Sequence, residues 1–389
     1  MYRALYLHIP FCKAKCAYCD FESRAVGEGR AFDAAVAAYV ERLAGLIDQY
    51  GRAGKLAQVE TVYIGGGTPS LLGQRLPRVA ERVRLYCDPV EFTCEANPES
   101  FTPELASGLR SVGVTRISLG VQSLQSGELR AIGRIHTAER ALEAIALAKQ
   151  TGFSTSCDLM CGLPLQTAAS WCDTLARTVE ADPDHVSVYP LQLEDGTSLA
   201  RREEAGEVVV PDEDFQAACM DAARELLEAA GYERYEVASY AKPGHRCRHN
   251  IAYWTGKPYL GLGRSAASMK MRHLGSDPKW CILGERERFV QLDDAGEQFE
   301  REILTAREAV AEDLMLACRM TDGISAELLK RAAAVIAPDA LERACGLAVS
   351  RGLARWSPST SQRRALVPTH AGWLEGNELY GIFWGLADE

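Results

Sequence analysis

Short, largely apolar runs alternate along the chain with longer runs whose apolar residues recur every three or four positions. The short runs are typical of strands covered on both faces, and the longer runs are typical of helices with one buried face. The predicted strands are ALYLHI from Ala4, VETVYI (59–64), EFTCEA (91–96), VTRISLGV (114–121), STSCDLMCGL (154–163) and HVSVYPLQL (185–193). The predicted helices between them include FDAAVAAYVERLAGLIDQY (32–50), PELASGLRSVG (103–113) and AERALEAIALAKQTG (138–152).

Six strand–helix units in series indicate a parallel sheet, because parallel neighbours have to be joined by a crossover that usually contains a helix. Six units are too few for a closed eight-stranded barrel. We therefore predict an α/β fold built on a partial, open (β/α)6 barrel, with a flat doubly wound sheet as the alternative. Both architectures place ligands at the carboxyl ends of their strands.

The pattern changes after Pro211. A long predicted helix (212–232) precedes a segment without clear periodicity, and from about Arg301 the sequence becomes helix-rich and charged. The predicted elements of this last part are three helices (307–320, 325–336 and 339–352) and a two-stranded wing (353–374).

Three regions follow from these patterns. We predict a barrel in residues 1–235, a loop-rich extension in 236–300 and a winged-helix-like C-terminal domain in 301–389. A winged helix is a common DNA-binding fold, but this one is not strongly basic, which favours a packing or gating role.

The composition is that of an ordinary globular protein, with 47% apolar and 25% charged residues in 389. The formal net charge of −10 argues against nucleic acid as a main partner. No apolar run is long enough for a membrane span, and the first strand begins without a secretory signal, so we predict a cytoplasmic protein. Its thirteen cysteines are then expected to serve metal binding or catalysis rather than disulfides.

Three of those cysteines, Cys12, Cys16 and Cys19, follow the first strand with the spacing Cys-x3-Cys-x2-Cys. Structural zinc requires four ligands, and no second cysteine pair at zinc spacing is evident. A 4Fe-4S cluster normally has four thiolates, so three would leave one iron with an open position. S-adenosylmethionine carries an amine and a carboxylate that can chelate such an iron, and one electron from the cluster can then cleave its sulfonium bond. Zinc is the alternative. Five scattered cysteines are expected to be buried apolar filler: Cys87, Cys219, Cys281, Cys318 and Cys345.

Polar side chains also occur within or just after the predicted strands. GGGTPS (65–70) follows the second strand, and glycines allow a ligand to approach the backbone closely. Glu95, Gln122 and Asp158 belong to the next three strands, and Arg134 has a guanidinium that can hold a carboxylate through two hydrogen bonds. The alternatives are a tight turn for the glycine run, a helix cap for Glu95, a surface position for Gln122 and a surface salt bridge for Arg134. For Asp158 function is favoured, because a carboxylate buried without a partner is costly.

Several segments together carry a family resemblance: LYLHIPFCKAKCAYCDF, IGGGTPS, CEANPES, RISLGVQSLQSGELRAIGRIHT, DLMCGLPLQT, VSVYPLQLEDGT and RYEVASYAKPGHRCRHNIAYW. Over nearly its whole length the chain resembles the oxygen-independent coproporphyrinogen oxidase-like group of radical S-adenosylmethionine proteins. The resemblance implies a partial (β/α)6 barrel with a 4Fe-4S cluster at its mouth. It also implies, by position, the residues around S-adenosylmethionine: Tyr6, Tyr18, Gly66, Gly67, Thr68, Glu95, Gln122, Arg134 and Asp158.

Two functions within that group have to be separated. Its oxidases extend the motif to Cys-x3-Cys-x2-Cys-x-Cys and carry an N-terminal extension, whereas this chain has Phe21 at the fourth place and no such extension. Members with phenylalanine there and an HNxxYW motif resemble HemW-type heme chaperones, and this chain has that motif from His249 to Trp254. A neutral imidazole can ligate iron, and aromatic side chains can pack on a porphyrin. His249, Tyr253 and Trp254 are therefore a tentative heme site, with a purely structural role as the alternative.

The leading hypothesis is a heme chaperone that binds heme, carries the cluster and S-adenosylmethionine, and delivers heme to an unidentified acceptor protein. An electron donor such as flavodoxin or ferredoxin is a further expected partner. The alternatives are oxidative decarboxylation of coproporphyrinogen III and another radical reaction on a tetrapyrrole, such as heme ring opening. The sequence leaves open whether radical chemistry turns over.

Overall fold

The computed structural model describes residues 1–25, 29–271, 284–358 and 364–388. Cys281 and parts of the predicted extension and wing lie outside these residues. The strands are β1 Ala4–Ile9, β2 Phe11–Cys12, β3 Arg24–Ala25, β4 Thr61–Gly66, β5 Glu91–Ala96, β6 Arg116–Gln122, β7 Ser154–Cys161, β8 His185–Pro190, β9 Glu233–Arg234, β10 Ser239–Ala241, β11 Tyr259–Leu262, β12 Ala267–Met271, β13 Arg286–Gln291, β14 Phe299–Leu304, β15 Ala354–Trp356 and β16 Leu366–Pro368.

The helices alternate with the first strands and dominate the C-terminal part. They are α1 Arg30–Arg52, α2 Arg75–Arg84, α3 Pro103–Ser111, α4 Ser126–Ala131, α5 Ala138–Gln150, α6 Ala168–Ala181, α7 Ser198–Glu204, α8 Glu213–Ala229, α9 Arg248–Trp254, α10 Ala306–Ala317, α11 Ala326–Ala332, α12 Pro338–Ser350, α13 His370–Leu374 and α14 Gly376–Trp384. None of the described helices is long and apolar enough to cross a membrane.

Six parallel strands form the centre of the sheet in the spatial order β1-β4-β5-β6-β7-β8. Their order in space is their order in the sequence. A doubly wound sheet reverses its strand order at a switch point, whereas a barrel keeps adding strands in one direction. The predicted partial (β/α)6 barrel is therefore confirmed, and the flat doubly wound alternative is wrong.

Alternation along the strands decides which residues face the helices. In β1, Leu5, Leu7 and Ile9 are fully buried in the same apolar cluster as Val36 and Leu43 of α1. The intervening positions of β1 are polar and face the opposite side, because successive side chains of a strand point to opposite faces. The helices thus cover the outside of the barrel and leave its inside to polar residues.

The predicted loop-rich character of residues 236–300 is wrong. The described part of this segment contains β10 to β14 and α9, and its strands belong to the same twelve-stranded sheet as the barrel. β10 pairs antiparallel with β8, while β11 pairs parallel with β1 and starts an antiparallel extension through β12, β13 and β14. β10 and β11 have only three and four residues, too few for a local period, and β13 and β14 have three charged residues each, unlike the apolar strands of the barrel. Pairing with the edges of the barrel decides their conformation.

The C-terminal part has its own apolar cluster, formed mainly by residues of α10, α12 and α14. β15 and β16 form an antiparallel pair, as the predicted wing requires. The predicted wing extends too far, however, because its last residues form α13. Thr369 begins this helix, since its side chain accepts a hydrogen bond from the backbone N–H of Gly372. The division of the whole chain into three domains stays a prediction.

Candidate functional site

A polar cavity of about 340 Å³ occupies the inside of the barrel. Strand register arranges its walls in layers. The layer nearer the amino ends of the strands contains, in register, Tyr63, Thr93 and Arg116. The next layer toward the carboxyl ends contains Glu95, Ser118, Ser156 and His185. Polar residues at inward positions are expensive in a packed barrel core, so this interior is built to hold a polar ligand.

The three motif cysteines lie together at the mouth of this cavity, where the chain leaves β1. The hydroxyl of Thr68 donates to Cys12 Sγ at 3.6 Å, and Nη1 of Arg134 lies 3.6 Å from Cys16 Sγ. In the described part of the chain no three His, Cys, Asp or Glu side chains converge closely enough to hold one metal ion. Thiolates spread around one wall suit a cluster, in which each ligand binds a different iron, better than single-ion zinc.

The three consecutive glycines at the carboxyl end of β4, Gly65 to Gly67, each have a steric reason. A Cβ on Gly65 would lie 3.0 Å from the Glu95 carboxylate, and one on Gly67 would lie 2.9 Å from Cys12 Sγ. Gly66 has a φ of 116°, which side chains rarely allow. The glycine run therefore makes the backbone thin enough to pass beneath the cysteine loop and beside Glu95. This cradle fits a cluster and the ligand that would bind its open iron.

Glu95 and Asp158 are the two acidic groups inside the barrel. Glu95 accepts hydrogen bonds from the Tyr63 hydroxyl at 2.7 Å and the Gly66 N–H at 3.0 Å, while Asp158 accepts one from Ser118 at 3.1 Å. Burial raises the pKa of Glu95 to about 7 and that of Asp158 to about 6, and these hydrogen bonds offset part of both shifts. Both carboxylates would gain from a positively charged ligand in the cavity.

Gln122 and Arg134 complete the wall at the carboxyl ends of the strands. Gln122 has a φ of 66°, next to an irregularity in the pairing of β6 with β7. Such a backbone conformation costs about 1–3 kcal/mol for a residue other than glycine, and a residue held in it at a cavity wall is a candidate for a functional role. Nη2 of Arg134 donates to Asn97 Oδ1 at 3.0 Å and also to the Gly120 carbonyl oxygen. These contacts hold the guanidinium against the cysteine loop.

The structure brings eleven of the twelve predicted cluster and S-adenosylmethionine residues to this one cavity: Cys12, Cys16, Cys19, Tyr18, Gly66, Gly67, Thr68, Glu95, Gln122, Arg134 and Asp158. Tyr6 is the exception. Its hydroxyl is 3.0 Å from His8 Nδ1, and its side chain lines a neighbouring cavity of about 330 Å³. The two cavities share Tyr63, Glu95 and Asn250 as walls.

The tentative heme residues lie elsewhere, on helix α9 at the amino ends of the strands. His249 lines the cavity that contains Tyr6, whereas Trp254 lines a third cavity of about 990 Å³ beside β12, β13 and β14, and Tyr253 lines both. Asn250, from the same helix, lines all three cavities. The HNxxYW motif therefore forms the partition between the barrel interior and two outer cavities.

His249 is only 2% exposed and is held between aromatic rings. It stacks on Tyr63 and packs edge-on against Tyr253, with centroid distances of 5.1 Å in both cases. Its Nδ1 lies 3.0 Å from the Thr61 hydroxyl, while its Nε2 has no hydrogen-bond partner. Burial lowers the pKa of His249 to about 3, so the ring is neutral at physiological pH. A neutral imidazole with one unpartnered nitrogen is what iron ligation requires.

Glu91, at the start of β5, anchors this helix. Its carboxylate accepts hydrogen bonds from the backbone N–H groups of Arg248 and His249, both at 2.9 Å, and from the thiol of Cys247 at 3.5 Å. A carboxylate is favourable here because the first N–H groups of a helix lack partners within the helix. Glu91 thereby holds α9 against the barrel.

Sequence reasoning missed several residues of the cavity wall, namely Tyr63, Thr93, Asn97, Arg116 and Ser118. A signal for two of them was present, because the alternation in RISLGVQ places Arg116 and Ser118 on one face of β6. Of the scattered cysteines that the structure describes, Cys87, Cys219, Cys318 and Cys345 are buried, as expected for apolar filler.

Comparison with known proteins agrees with this geometry. The sequence profile of the Radical SAM superfamily matches residues 6–177. The heme chaperone HemW of Mycobacterium tuberculosis (strain CDC 1551 / Oshkosh) is 36% identical over 358 residues, which cover 87% of this chain and 88% of that relative. The heme chaperone HemW of Bacillus subtilis (strain 168) is 30% identical over 395 residues, 98% of this chain and 99% of that relative.

Among solved structures, coproporphyrinogen III oxidase (HemN) from Escherichia coli, a radical SAM enzyme, superposes with a TM-score of 0.76 over 100% of this chain and 90% of its own. At 20% identity this likeness concerns the fold. Fold and site define a radical SAM protein. The extent and identity of the sequence matches go further: the chain belongs to the family of the heme chaperone HemW.

Membership of the radical SAM superfamily implies a 4Fe-4S cluster and S-adenosylmethionine. The described residues fit both groups, because three thiols, a glycine cradle and two partly neutralised carboxylates share one cavity. Cys12, Cys16 and Cys19 would hold the cluster. Bound there, the cluster supplies one-electron chemistry to S-adenosylmethionine.

Proposed function

We propose that this protein is a heme chaperone that binds heme and passes it to an acceptor protein. The observation that carries the proposal is the similarity to HemW relatives over 87–98% of the chain, which includes the HNxxYW helix as well as the barrel. The acceptor is a protein whose apo form lacks heme. A one-electron donor such as flavodoxin or ferredoxin would reduce the cluster.

In this proposal the mouth of the barrel binds S-adenosylmethionine. Glu95 and Asp158 offer negative charge to the cationic amine and sulfonium. Tyr18, within the cysteine loop, packs against the apolar cluster that includes Ile132 and Met160 and limits the entry of water. Arg134 keeps the loop in place through its contacts with Cys16 and Asn97. Gly66 and Gly67 let the ligand approach the backbone.

Helix α9 binds the heme iron in this proposal. His249 offers Nε2, which is unpartnered and neutral. The adjoining cavity of about 990 Å³ is lined by aromatic and apolar side chains, against which a porphyrin can pack, and by charged side chains of β13, β14 and α10. Iron ligation requires rearrangement around His249, because its ring is buried between Tyr63 and Tyr253. Binding therefore includes an opening step at α9.

Oxidative decarboxylation of coproporphyrinogen III is the second candidate function, since the fold of HemN spans the whole chain. At the place where the oxidases of the group have a fourth cysteine, this chain has Phe21, which is 60% exposed beside the cysteine loop. An exposed phenylalanine supplies no ligand and no acid–base group, and we therefore favour the chaperone.

The test is a heme titration run beside an oxidase assay on the anaerobically reconstituted protein. We expect a Soret shift that saturates at one equivalent of heme, transfer of that heme to an apo-acceptor, and no protoporphyrinogen from coproporphyrinogen III with S-adenosylmethionine and reductant. Formation of protoporphyrinogen at many turnovers without stoichiometric heme binding would overturn the chaperone proposal in favour of the oxidase.

A further inference from the structure

Arg116 is a charged side chain inside the barrel that the proposed S-adenosylmethionine and heme residues leave unused. It is 3% exposed and begins β6, in the layer nearest the amino ends of the strands that still faces the main cavity. Its Nη1 donates to the His245 carbonyl oxygen at 2.9 Å and lies 3.4 Å from the Ser154 hydroxyl. Its Nη2 has no hydrogen-bond partner.

A second orphaned group lies next to it. Thr93 is paired with Arg116 in the register of β5 and β6, is fully buried and lines the same cavity. Its hydroxyl oxygen also has no hydrogen-bond partner. Buried polar groups are nearly always hydrogen-bonded, so two unsatisfied neighbours on one wall indicate a missing ligand.

The missing ligand has to accept hydrogen bonds. Nη2 carries two hydrogens and a share of the guanidinium charge, and a carboxylate is the group that matches such a donor best. The two protein carboxylates of the cavity are already engaged: Glu95 with Tyr63 and Gly66, and Asp158 with Ser118. Burial alone would lower the pKa of Arg116, but the field of neighbours including Cys247 and Glu91 raises it, so the side chain stays charged.

We propose that Arg116 and Thr93 form a carboxylate-binding subsite that receives one carboxylate arm of the bound tetrapyrrole. This inference rests on the proposed heme-binding function and names the contact that would orient the heme. The macrocycle occupies the cavity of about 990 Å³ beside α9, and one propionate reaches into the barrel past Tyr189 and Asn250, which line both cavities. The methionyl carboxylate of S-adenosylmethionine is the other source of the same chemistry, and the experiment separates the two.

The test compares heme with heme dimethyl ester, which has the same iron and ring but no free carboxylates. We expect the unaltered protein to bind heme about tenfold or more tightly than the ester, because a hydrogen bond to a charged partner is worth about 1.5–3 kcal/mol. Arg116→Met should bind heme about tenfold more weakly and the ester unchanged, so that the ratio falls by about tenfold, and any preference that remains belongs to the second propionate. S-adenosylmethionine affinity should stay within about twofold.

Arg177→Met is the matched control, since Arg177 lies on the outer helix α6 and contacts the Leu124 carbonyl oxygen. It should keep the preference for heme. Thr93→Val removes only the hydroxyl and should reduce the ratio of heme affinity to ester affinity by about twofold to fivefold. If Arg116→Met does not fold, this variant tests the carboxylate subsite in its place.

The carboxylate subsite and the chaperone function would be overturned by different results. An unaltered protein that binds heme and its ester equally overturns the subsite and leaves the chaperone function standing. A preference that persists unchanged in Arg116→Met also overturns the subsite, and a loss of S-adenosylmethionine affinity in that variant then assigns Arg116 to the methionyl carboxylate. An unaltered protein that binds neither porphyrin overturns the proposed function as well.

Discussion

The two ends of the barrel are built on opposite principles. At the carboxyl ends of the strands, groups that can bind cofactors line the main cavity. They are three thiols, a glycine cradle and two carboxylates whose pKa values burial raises to about 7 and 6. At the amino ends a short helix closes the interior, anchored by Glu91 and carrying a buried neutral histidine. We call the carboxyl ends of the strands, which are arranged for cofactors, the open end of the barrel. We call the amino ends, which α9 covers, the closed end.

The difference implies that a substitution at one end should alter the binding of one proposed ligand and leave the binding of the other nearly unchanged. The cysteine loop and α9 lie at opposite ends of the parallel strands, and only wall residues such as Asn250 face both the interior and the outer cavities. Coupling between the cluster and heme would have to pass through these shared wall residues. The following variants test how independent the ends are, in order of decreasing effect.

The largest effect is expected for Cys16→Ala. Two thiolates cannot hold the cluster, so the iron–sulfur absorbance and bound iron should be lost after anaerobic reconstitution, while heme affinity should change less than about threefold. Cys172→Ala, at an exposed cysteine of α6, is the control and should reconstitute normally. An intact iron–sulfur chromophore in Cys16→Ala would contradict the assignment of the cluster to the three cysteines at the mouth of the cavity.

His249→Ala is the reciprocal variant. Loss of an iron ligand should weaken heme binding by about 100-fold or more and shift the Soret band of any bound heme, whereas cluster content should be unchanged. His370→Ala, at an exposed histidine of the C-terminal part, should bind heme normally. Equal heme spectra for His249→Ala and the unaltered protein would remove α9 as the ligand donor.

Glu91→Ala tests the anchor of the closed end. It leaves the first N–H groups of α9 without their charged acceptor, which should lower the free energy of unfolding by about 2 kcal/mol in chemical denaturation. Glu91→Gln keeps one acceptor oxygen and should lose about half as much. Glu81→Gln, at an exposed carboxylate of α2, is the control and should leave stability nearly unchanged. A loss no larger than that of the control would mean that α9 is held by packing alone.

The smallest effect concerns the pH dependence of the open end. Because the pKa of Glu95 is about 7, the carboxylate is mostly ionised at pH 8 and mostly protonated at pH 6. Protonation removes the negative charge that attracts a cationic ligand, so S-adenosylmethionine should bind about tenfold more weakly at pH 6 than at pH 8. Glu95→Gln should bind weakly at both values, and calorimetry that finds the same slope in this variant would exclude Glu95 as the titrating group.

Sequence patterns were sufficient for the parallel core. The strands predicted at Ala4, 91–96 and 154–163 begin where β1, β5 and β7 begin, because largely apolar runs between helical periods have few other ways to be buried. The sequence patterns failed for residues 236–300, where β10 and β11 pair with the edges offered by β8 and β1, and β12, β13 and β14 extend the sheet from β11. Edge pairing is a long-range property that no local window contains.

The sequence by itself also determined the chemistry of the open end, since the cysteine spacing, the glycine run and the polar strand ends all lie close to one another along consecutive strand–helix units. Only the tertiary structure decided the closed end. Thr93 and Arg116 belong to different strands, and no sequence motif marks them as partners, while the HNxxYW motif marks His249 without showing what surrounds it. Strand register brings Thr93 and Arg116 to one wall of the main cavity, and the docking of α9 places His249 in a neighbouring cavity. Burial then makes their unsatisfied hydrogen bonds costly enough to indicate a ligand.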